Sequence, residues 1–317
     1  MVHYRNWILA ILAAIVSTSP AACAFQTAAP PSNPAANTAP VSPDAPTDPI
    51  LTAAQDLIGK ALFLRSFYLS NNLSYDDAGK IEGAPKSGDW TIAAINVLKA
   101  ARLSPGEIEL EGVRAAIRYN SDAHEFQRHP LIDEKMKLLV KLAPGPDGAR
   151  GPDHARGSGT DPDAGASQLR AAFTAIFAIG IDPALQHSMP PLWTHYFDPS
   201  LAWPPDTLTS ETIYPMYGQP GQPQDVAPPT VAHKVNAQFT DFAARDKVKG
   251  QVQLRMVIDA EGIPRRITVT RPLGYGLEQQ AADALAKWRF NPAVRAGLPV
   301  AAAIVVNLDF ETAPPPH

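Results

Sequence analysis

The sequence contains a single cysteine, Cys23, among 317 residues. Without a second cysteine no intramolecular disulfide can form, so a disulfide-stapled fold is excluded. Because Cys23 lies near the amino terminus, cleavage of a leader segment just after it would also remove the only thiol of the chain. Thiol chemistry is then excluded as well, and the hydrophobic core has to stabilise the fold.

The chain also has few charges, and neither sign dominates. Charged side chains make up 18% of the sequence, and the formal net charge is -4. Binding to a polyanion needs an excess of Lys and Arg, so we predict no nucleic-acid partner. At 317 residues and 45% hydrophobic composition, the chain is long enough for two domains with their own cores.

Long apolar runs are absent near the amino terminus. The run from Trp7 to Val16 is too short for a bilayer span, which needs about 20 residues. It is typical of a secretory signal, and Ala22-Cys23-Ala24 matches a small-x-small cleavage site. We predict that residues 1–24 form a cleaved signal peptide. A lipid-modified Cys23 and a retained anchor remain as alternatives, although Pro20 stands where a lipobox normally has an aliphatic residue.

Catalytic and metal-binding motifs are incomplete. His124 and His129 approximate a zincin helix, but they lie five residues apart and do not share a helical face, so we interpret them as part of a surface loop. Asp161 and Asp163 resemble part of a calcium loop, but its twelfth position would be Ala172 instead of Glu. No Gly-x-Ser-x-Gly elbow and no paired acid and base occur. The sequence therefore predicts no metal, no cofactor and no enzymatic activity.

Proline-rich stretches divide the chain into predicted segments. Residues 25–49 have no apolar periodicity and are predicted to be a semi-extended spacer. Residues 199–226 are predicted to be a second Pro-rich linker. Between them, residues 50–198 are predicted to form a β-rich domain with a helical end. Its alternating strands and turns favour a compact antiparallel barrel or sandwich at about residues 58–143. The carboxy-terminal module occupies residues 227–312.

In the carboxy-terminal module, apolar residues recur first at every second position, then about every 3.6 positions, and finally at every second position again. Two alternating stretches around Leu254 and Val269 predict strands, and a third ends at Phe310. Between them an apolar stripe predicts an amphipathic helix, and its members are Leu277, Ala281, Ala284, Leu285 and Trp288. We therefore predict an α+β fold whose carboxy-terminal ββαβ module lays one helix on a three-stranded antiparallel sheet. Trp288 and Phe290 are expected in the core.

Several motifs of this module resemble the carboxy-terminal domain of the TonB family. They are Lys249-Gly250-Gln251-Val252, Val257-Ile258-Asp259 with Gly262, Gly276-Leu277-Glu278 with Ala281, Trp288-Arg289-Phe290-Asn291-Pro292-Ala293, Gly297-Leu298-Pro299-Val300 and the closing Phe310. The aromatic run and the Gly-x-Pro-Val run are the most specific of these. The resemblance covers about residues 227–312, and it departs from the family at Glu278, where Asp is usual.

The resemblance implies a periplasmic or cell-envelope protein. In the family, this domain captures a short peptide of outer-membrane transporters by strand addition and transmits energy from an inner-membrane motor. Pro299 cannot donate to a β-ladder, so the strand it opens is predicted to lie at a sheet edge. The predicted partner-binding residues on that edge are Ala301, Ala303, Val305, Asn307 and Asp309, with Val305 and Asn307 outward to contact the peptide.

Other functions remain open at this stage. The family's membrane anchor carries a Ser and a His that meet the motor proteins, whereas the only early histidine here is His3, before the apolar run. Coupling to the motor would then need another subunit. One alternative is a non-transducing envelope protein whose TonB-like module mediates assembly. Another is a periplasmic enzyme with an unrecognised site in the β-rich domain. The oligomeric state does not follow from the sequence.

Overall fold

The structure, a computed structural model, describes residues 48–143, 163–217 and 220–311. The predicted signal peptide, most of the predicted spacer and Asp161 lie outside the described residues. Within the described ranges no helix is long and apolar enough to cross a bilayer.

A six-stranded sheet forms the amino-terminal part of the described chain. Its strands are β1 (Leu62–Leu64), β2 (Asn72–Tyr75), β3 (Ala94–Ser104), β4 (Glu107–Asn120), β5 (Glu125–Lys141) and β6 (Phe177–Ile179). Their spatial order is β2-β5-β4-β3-β1-β6. Neighbours run antiparallel except β2 and β5, which are parallel. The expectation of an antiparallel barrel or sandwich is wrong, because the described strands form one open sheet whose outer strands do not meet.

Short helices flank this sheet and the carboxy-terminal module. They are α1 (Pro49–Gln55), α2 (Ala164–Ile176), α3 (Pro183–Ser188), α4 (Pro191–Phe197), α5 (Asp241–Arg245) and α6 (Leu277–Leu285). The helices α1 and α3 begin with an Asp cap followed by proline, which satisfies free N–H groups and presets the first helical turn. The helices α1 and α2 share a hydrophobic cluster with the six-stranded sheet, through Ala54 of α1, Leu169 of α2 and Leu138 of β5.

The carboxy-terminal module has the predicted ββαβ architecture. The remaining strands, of which β7 lies before the module and β8 at its start, are β7 (Tyr214–Pro215), β8 (Val226–Ala227), β9 (Thr230–His233), β10 (Gly250–Ile258), β11 (Pro264–Arg271), β12 (Arg289–Asn291), β13 (Ala293–Arg295), β14 (Leu298–Val300) and β15 (Ala302–Phe310). The strands β11, β10 and β15 form the predicted antiparallel sheet. The connection from β11 to β15 contains α6, then β12, which pairs with β9, and then the β13–β14 hairpin. The α+β fold and its three-stranded sheet are therefore confirmed.

The position of Pro299 differs from the prediction. Pro299 lies in β14, which pairs with β13, and the strand of the main sheet begins only at Ala302. The edge position of β15 therefore cannot be inferred from this proline. A second difference is the short strand β7, which adds to the outer side of β15 in parallel.

One hydrophobic core connects the six-stranded sheet with the carboxy-terminal module. Trp90 and Ile117 from the first region and Leu277 from α6 belong to the same buried cluster. Trp288 and Phe290 are buried in it, as predicted. The predicted domain boundaries stay predictions.

Candidate functional site

The candidate site is the outer edge of β15. Its inner edge pairs with β10 without a slip, from Ala302 opposite Ile258 to Phe310 opposite Gly250. On such a strand the N–H and C=O groups of alternate residues point to opposite sides. The main-chain groups of Ala303 and Val305 bond to residues 216 and 217 on the side away from β10. The main-chain groups of the odd-numbered residues therefore face outward. The five predicted residues are all odd-numbered.

The first half of this edge is covered by a segment that we call the strap, residues 213–217. Three main-chain hydrogen bonds join the two: Tyr214 N–H to Ala301 O (3.0 Å), Met216 N–H to Ala303 O (2.8 Å) and Val305 N–H to Tyr217 O (3.0 Å). The strap therefore occupies the outer carbonyls of Ala301 and Ala303 and the N–H of Val305. These groups are not available to a partner while the strap is in place.

Buried side chains hold the strap on the sheet. Met216 is fully buried in the main core. Leu208, which precedes the strap, is 1% exposed and packs with Ala301 and Ala303, and Ile213 packs against the same cluster. Burial of a side chain such as Leu or Met contributes about 1.5–3 kcal/mol. The covered half is therefore a structural contact of the fold.

The second half of the edge is open among the described residues. No main-chain hydrogen bond from outside β10 falls on the N–H groups of Asn307 and Asp309 within those ranges. Both residues are exposed, whereas Leu308 and Phe310 between and after them point into the core. The structure thus separates the five predicted residues into a covered pair, an open pair, and Val305 at the boundary.

A ladder of polar side chains covers the outer face of the sheet beside the open half. Gln251 Nε2 donates to Asp309 Oδ1 at 2.7 Å, and Gln253 Nε2 donates to Asn307 Oδ1 at 3.0 Å. The guanidinium of Arg271 donates in turn to the side-chain amide oxygen of Gln251, Oε1. These cross-strand bonds fix the side chains of Asn307 and Asp309 toward β10. The two side chains therefore leave the outer main-chain groups of these residues uncovered by any contact within the described ranges.

The loop before α6 ties the module to the six-stranded sheet. Tyr275 N–H donates to Ile117 O at 2.9 Å, and Tyr119 N–H donates to Leu273 O at 3.0 Å. Gly274 has a φ of +102°, and a Cβ at this position would lie 2.1 Å from Ile117 O. Only glycine fits so close to the neighbouring strand. The module is therefore held against β4 rather than suspended from a linker.

Two buried carboxyl groups lie behind this loop. Glu278 is fully buried, and its Oε1 accepts from the N–H groups of Leu273 (2.5 Å) and Gly274 (2.6 Å). Its Oε2 has no partner among the described residues. Burial, together with the nearby charge of Asp89, raises the pKa of Glu278 to about 7. The environment of this carboxyl therefore favours its protonated form.

Asp89 contributes the second buried carboxyl, at the amino-terminal cap of a short 3₁₀ helix, Trp90–Ile92. Its Oδ1 accepts from the hydroxyl of Thr91 at 2.6 Å, and its Oδ2 accepts from the indole N–H of Trp193 at 2.8 Å. Burial raises the pKa of Asp89 in spite of these bonds. The oxygen of Thr91 accepts from Gly276 N–H at 2.7 Å, which continues the network into the module.

The two histidines of the incomplete zinc motif do not lie together in a surface loop. His129 is part of β5, half-buried beside Tyr275, and burial followed by the charge of Arg118 lowers its pKa. The surface-loop interpretation is wrong for this residue, because β5 extends much further toward the amino terminus than its clear alternation at residues 135–142 indicates. His124 precedes the strand in a turn, with a φ of +52°. Within the described residues no group of three or more His, Cys, Asp or Glu side chains is placed to hold a metal.

Sequence reasoning missed the strap and the buried carboxyls. The strap lies in a stretch whose proline content favours a linker, although Leu208, Ile213 and Met216 are apolar residues within it. These three residues were the available indication of a packed segment. Asp89 carries no comparable indication, because a single Asp after glycine is typical of an exposed turn.

Comparisons with known proteins show which family the module is similar to. Residues 235–312 match the family model described as the Gram-negative bacterial TonB protein C-terminal domain. Among solved structures, a match is the solution NMR structure of the Pseudomonas aeruginosa TonB CTD, with 21% identity, a TM-score of 0.24, and coverage of 30% of this chain and 93% of that chain. No curated protein matches the chain.

Proposed function

Because residues 235–312 form a TonB C-terminal domain, we propose that this envelope protein binds an extended peptide segment of an outer-membrane transporter at the open half of β15. The peptide adds a strand to the sheet, and binding serves energy-coupled transport. The role is that of a binding module without enzymatic activity. Its partner-binding residues are Asn307 and Asp309, with the carbonyl of Val305 at the boundary.

The observation that supports this proposal is the row of main-chain groups without a partner on the outer edge. In the described part of the chain these are the carbonyl of Val305 and the N–H and C=O groups of Asn307 and Asp309. An extended peptide satisfies such a row by strand addition. With about 1 kcal/mol for each of the five bonds, the main chain contributes roughly 5 kcal/mol, equivalent to a dissociation constant of about 0.2 mM. Tighter binding has to come from side-chain contacts.

Side-chain contacts are available at both ends of the open half. Tyr217 is 47% exposed where the strap leaves the sheet. At the other end, Lys249, Gly250, Gln251, Asp309, Phe310 and Glu311 line a cavity of about 490 Å³. Lys249 shares this cavity with the carboxylates of Asp309 and Glu311, so the cavity has no net positive charge and favours a polar group on the peptide rather than an acidic one. The proposed peptide therefore carries an apolar side chain near Tyr217 and a polar one near Lys249.

The test is calorimetry with synthetic peptides that tile the periplasm-facing segments of outer-membrane transporters. Asn307→Pro removes an outward N–H and places a ring on the open edge, so affinity for the best peptide should fall at least about tenfold, or 1.4 kcal/mol. Asn307→Ala keeps the main chain and should bind within about threefold of wild type. If a folded Asn307→Pro variant binds the peptide as wild type does, the proposed edge is wrong.

A second candidate function is a non-transducing envelope protein in which the module mediates assembly. The observation that favours it is the continuous core between the module and the six-stranded sheet, through Trp90, Ile117 and Leu277. A module fixed in this way has less freedom to reach a distant partner. A pull-down from membranes discriminates the two functions: recovery of transporters supports the first, and recovery of other envelope proteins without transporters supports the second. Amino-terminal sequencing of the purified protein shows whether an anchor for coupling to motor proteins is retained.

A further inference from the structure

The loop between β11 and α6, residues 273–276, is strained, and we call it the junction loop. Three consecutive residues, Gly274, Tyr275 and Gly276, have φ angles of +102°, +59° and +73°, all with positive sign. Glycine adopts such angles without steric cost, but Tyr275 does not, because its Cβ crowds the main chain. The junction loop therefore keeps this conformation only because its surroundings hold it.

Both buried carboxyl groups support the junction loop. Glu278 accepts hydrogen bonds from two N–H groups of the loop through its Oε1. Asp89 supports a third, because Gly276 N–H donates to the hydroxyl oxygen of Thr91, and that hydroxyl donates to Asp89. The protonation of these two carboxyls therefore acts on the same segment, which also carries the main-chain bonds to β4.

The two carboxyls differ in how well they can carry a charge. Asp89 receives donors on both oxygens, from Thr91 on Oδ1 and from the indole of Trp193 on Oδ2. Glu278 receives donors on one oxygen, and its Oε2 is buried without a partner among the described residues. A buried charge is stabilised by the hydrogen bonds that it accepts. Asp89 is therefore the better site for the charge, and Glu278 is the better site for a proton.

No cation compensates a second charge at this position. Within the described ranges, no Lys, Arg or His side chain forms an ion pair with Glu278 or Asp89. The other titratable or charged side chains around the loop lie near the ring of Tyr275 or near Glu278, and they are Arg118 and Tyr119 of β4, His129 of β5, Tyr196 of α4, and Arg245 and Asp246 at the end of α5. Of these, Tyr196 lies near Glu278, and its neutral phenol adds no positive charge. Two charged carboxylates in the closed junction would therefore repel each other without compensation.

We propose that the junction loop is a pH-sensitive latch, which holds the module on β4 while Glu278 is protonated and opens locally when Glu278 and Asp89 are both charged. Opening brings water to Oε2 of Glu278 and relieves the strain at Tyr275, while the packed core stays in place. The closed loop binds the extra proton, so its stability is present at low pH and is lost as the pH rises. The latch is separate from peptide binding, because residues 273–276 do not lie on the open half of β15.

The test is amide hydrogen exchange on the full chain, measured as protection factors so that the intrinsic pH dependence of exchange is removed. The reporting amides are the N–H groups of Tyr119, Tyr275 and Gly276, which bond across the junction. From about pH 5 to about pH 8 their protection should fall at least about tenfold. The N–H of Val305 bonds the strap and serves as the reference, so its protection should not change. An equal fall at Val305 would mean that the whole fold opens, and it would overturn the local latch.

Two variants and a control assign the pH dependence to the buried carboxyls. Glu278→Gln keeps an acceptor for the loop and removes the charge, so the protection of the reporting amides should stay high across this pH range. Asp89→Asn removes the repelling charge and leaves Glu278 in place, so the fall should be smaller than in wild type. This second variant decides the outcome if Glu278→Gln does not fold. Asp283→Asn, at an exposed position of α6, should behave as wild type.

The proposal is overturned if the protection of the reporting amides in wild type does not depend on pH. It is equally overturned if Glu278→Gln, or Asp89→Asn in its place, keeps the wild-type pH dependence.

Discussion

The two halves of β15 share one partner along their inner edge and have opposite surroundings along their outer edge. At the covered half, the strap bonds the main chain and buries Met216, and Leu208 just before the strap is buried as well. At the open half, no described residue outside β10 bonds the main chain, and the neighbouring side chains form a polar ladder. One strand therefore serves the fold along one half and is free to bind along the other.

This difference shows why strand addition needs a defined length of edge. If the whole outer edge were free, it would be a template for pairing with any exposed strand, including a second copy of this chain. The strap shortens the free edge, and in the proposed complex it sets the residue at which the peptide begins to pair. Substitutions in the covered half should therefore change stability, and substitutions in the open half should change binding.

The largest expected effect is on the covered half. Met216→Ala removes a fully buried side chain and should lower the free energy of unfolding by about 2–5 kcal/mol. The matched control is Leu298→Ala, at a side chain that is 68% exposed, which should change stability by less than about 0.5 kcal/mol. Urea denaturation measures both. Equal effects of the two substitutions would mean that the strap does not contribute to the fold.

The next effect concerns pH and the junction behind the site. The pKa of Glu278 is near 4.5 when the chain is unfolded and about 7 when it is folded, so the native state binds more protons between these values. Stability should fall as the pH rises from 4.5 to 7, by about 3 kcal/mol from this group, and change no further above that range. Glu278→Gln removes the contribution of this group and should reduce the slope between these pH values, while burial of Asp89, which also raises its pKa, contributes a slope of the same sign.

The control for this pH profile is Asp283→Asn, at an exposed position of the same helix, which should leave the profile as in wild type. Denaturation at several pH values gives the slopes. Affinity for the transporter peptide should not follow the pH dependence of stability, because Glu278 lies in the core and not on the open half. If the stability of Glu278→Gln depended on pH as steeply as that of wild type, the proposed protonation of Glu278 would be contradicted.

A smaller effect is expected at the end of the open half. Asp309→Pro removes one outward N–H, and the loss of one hydrogen bond of about 1 kcal/mol should weaken peptide binding about fivefold. Asp309→Ala keeps that N–H and serves as the control in the same calorimetric titration. An equal loss in both variants would assign the effect to the carboxylate, in conflict with main-chain pairing.

The smallest effect is expected in the polar ladder. Gln253→Ala removes the exposed bond to Asn307 and should change stability by less than about 0.5 kcal/mol. Peptide affinity should change by less than about threefold, because the ladder lies on the face of the sheet and not on its edge. A large loss of affinity would show that the peptide contacts this face.

The spacing of apolar residues and the composition were sufficient to predict the strands and the helix of the carboxy-terminal module. The strands around Leu254 and Val269, the helix stripe and the buried Trp288 and Phe290 all follow from alternation and helical spacing. Each of these depends on local sequence, because a residue's face in a strand or helix is set by its immediate neighbours. The faces of β15 follow in the same way.

Which segment pairs with the outer edge of a strand cannot be predicted from the sequence around that strand. The strap pairs residues 214–215 with residues 302–303, and the proline-rich composition between residues 199 and 226 favours a linker. The parallel pair β2–β5 and the length of β5 are likewise set by distant partners. The five site residues could therefore be placed on one side of a strand, but their division into covered and open groups could not be predicted. Their role in binding stays a prediction.

The measurement that tests the central claim most directly is amide hydrogen exchange along β15, with and without the transporter peptide. The account predicts that the N–H of Val305 is protected in the free protein by its bond to Tyr217 O, whereas the N–H groups of Asn307 and Asp309 exchange rapidly. On addition of the peptide, the exchange of Asn307 and Asp309 should slow and that of Val305 should stay unchanged. Protection of Asn307 and Asp309 in the free protein, or no change on binding, would contradict it.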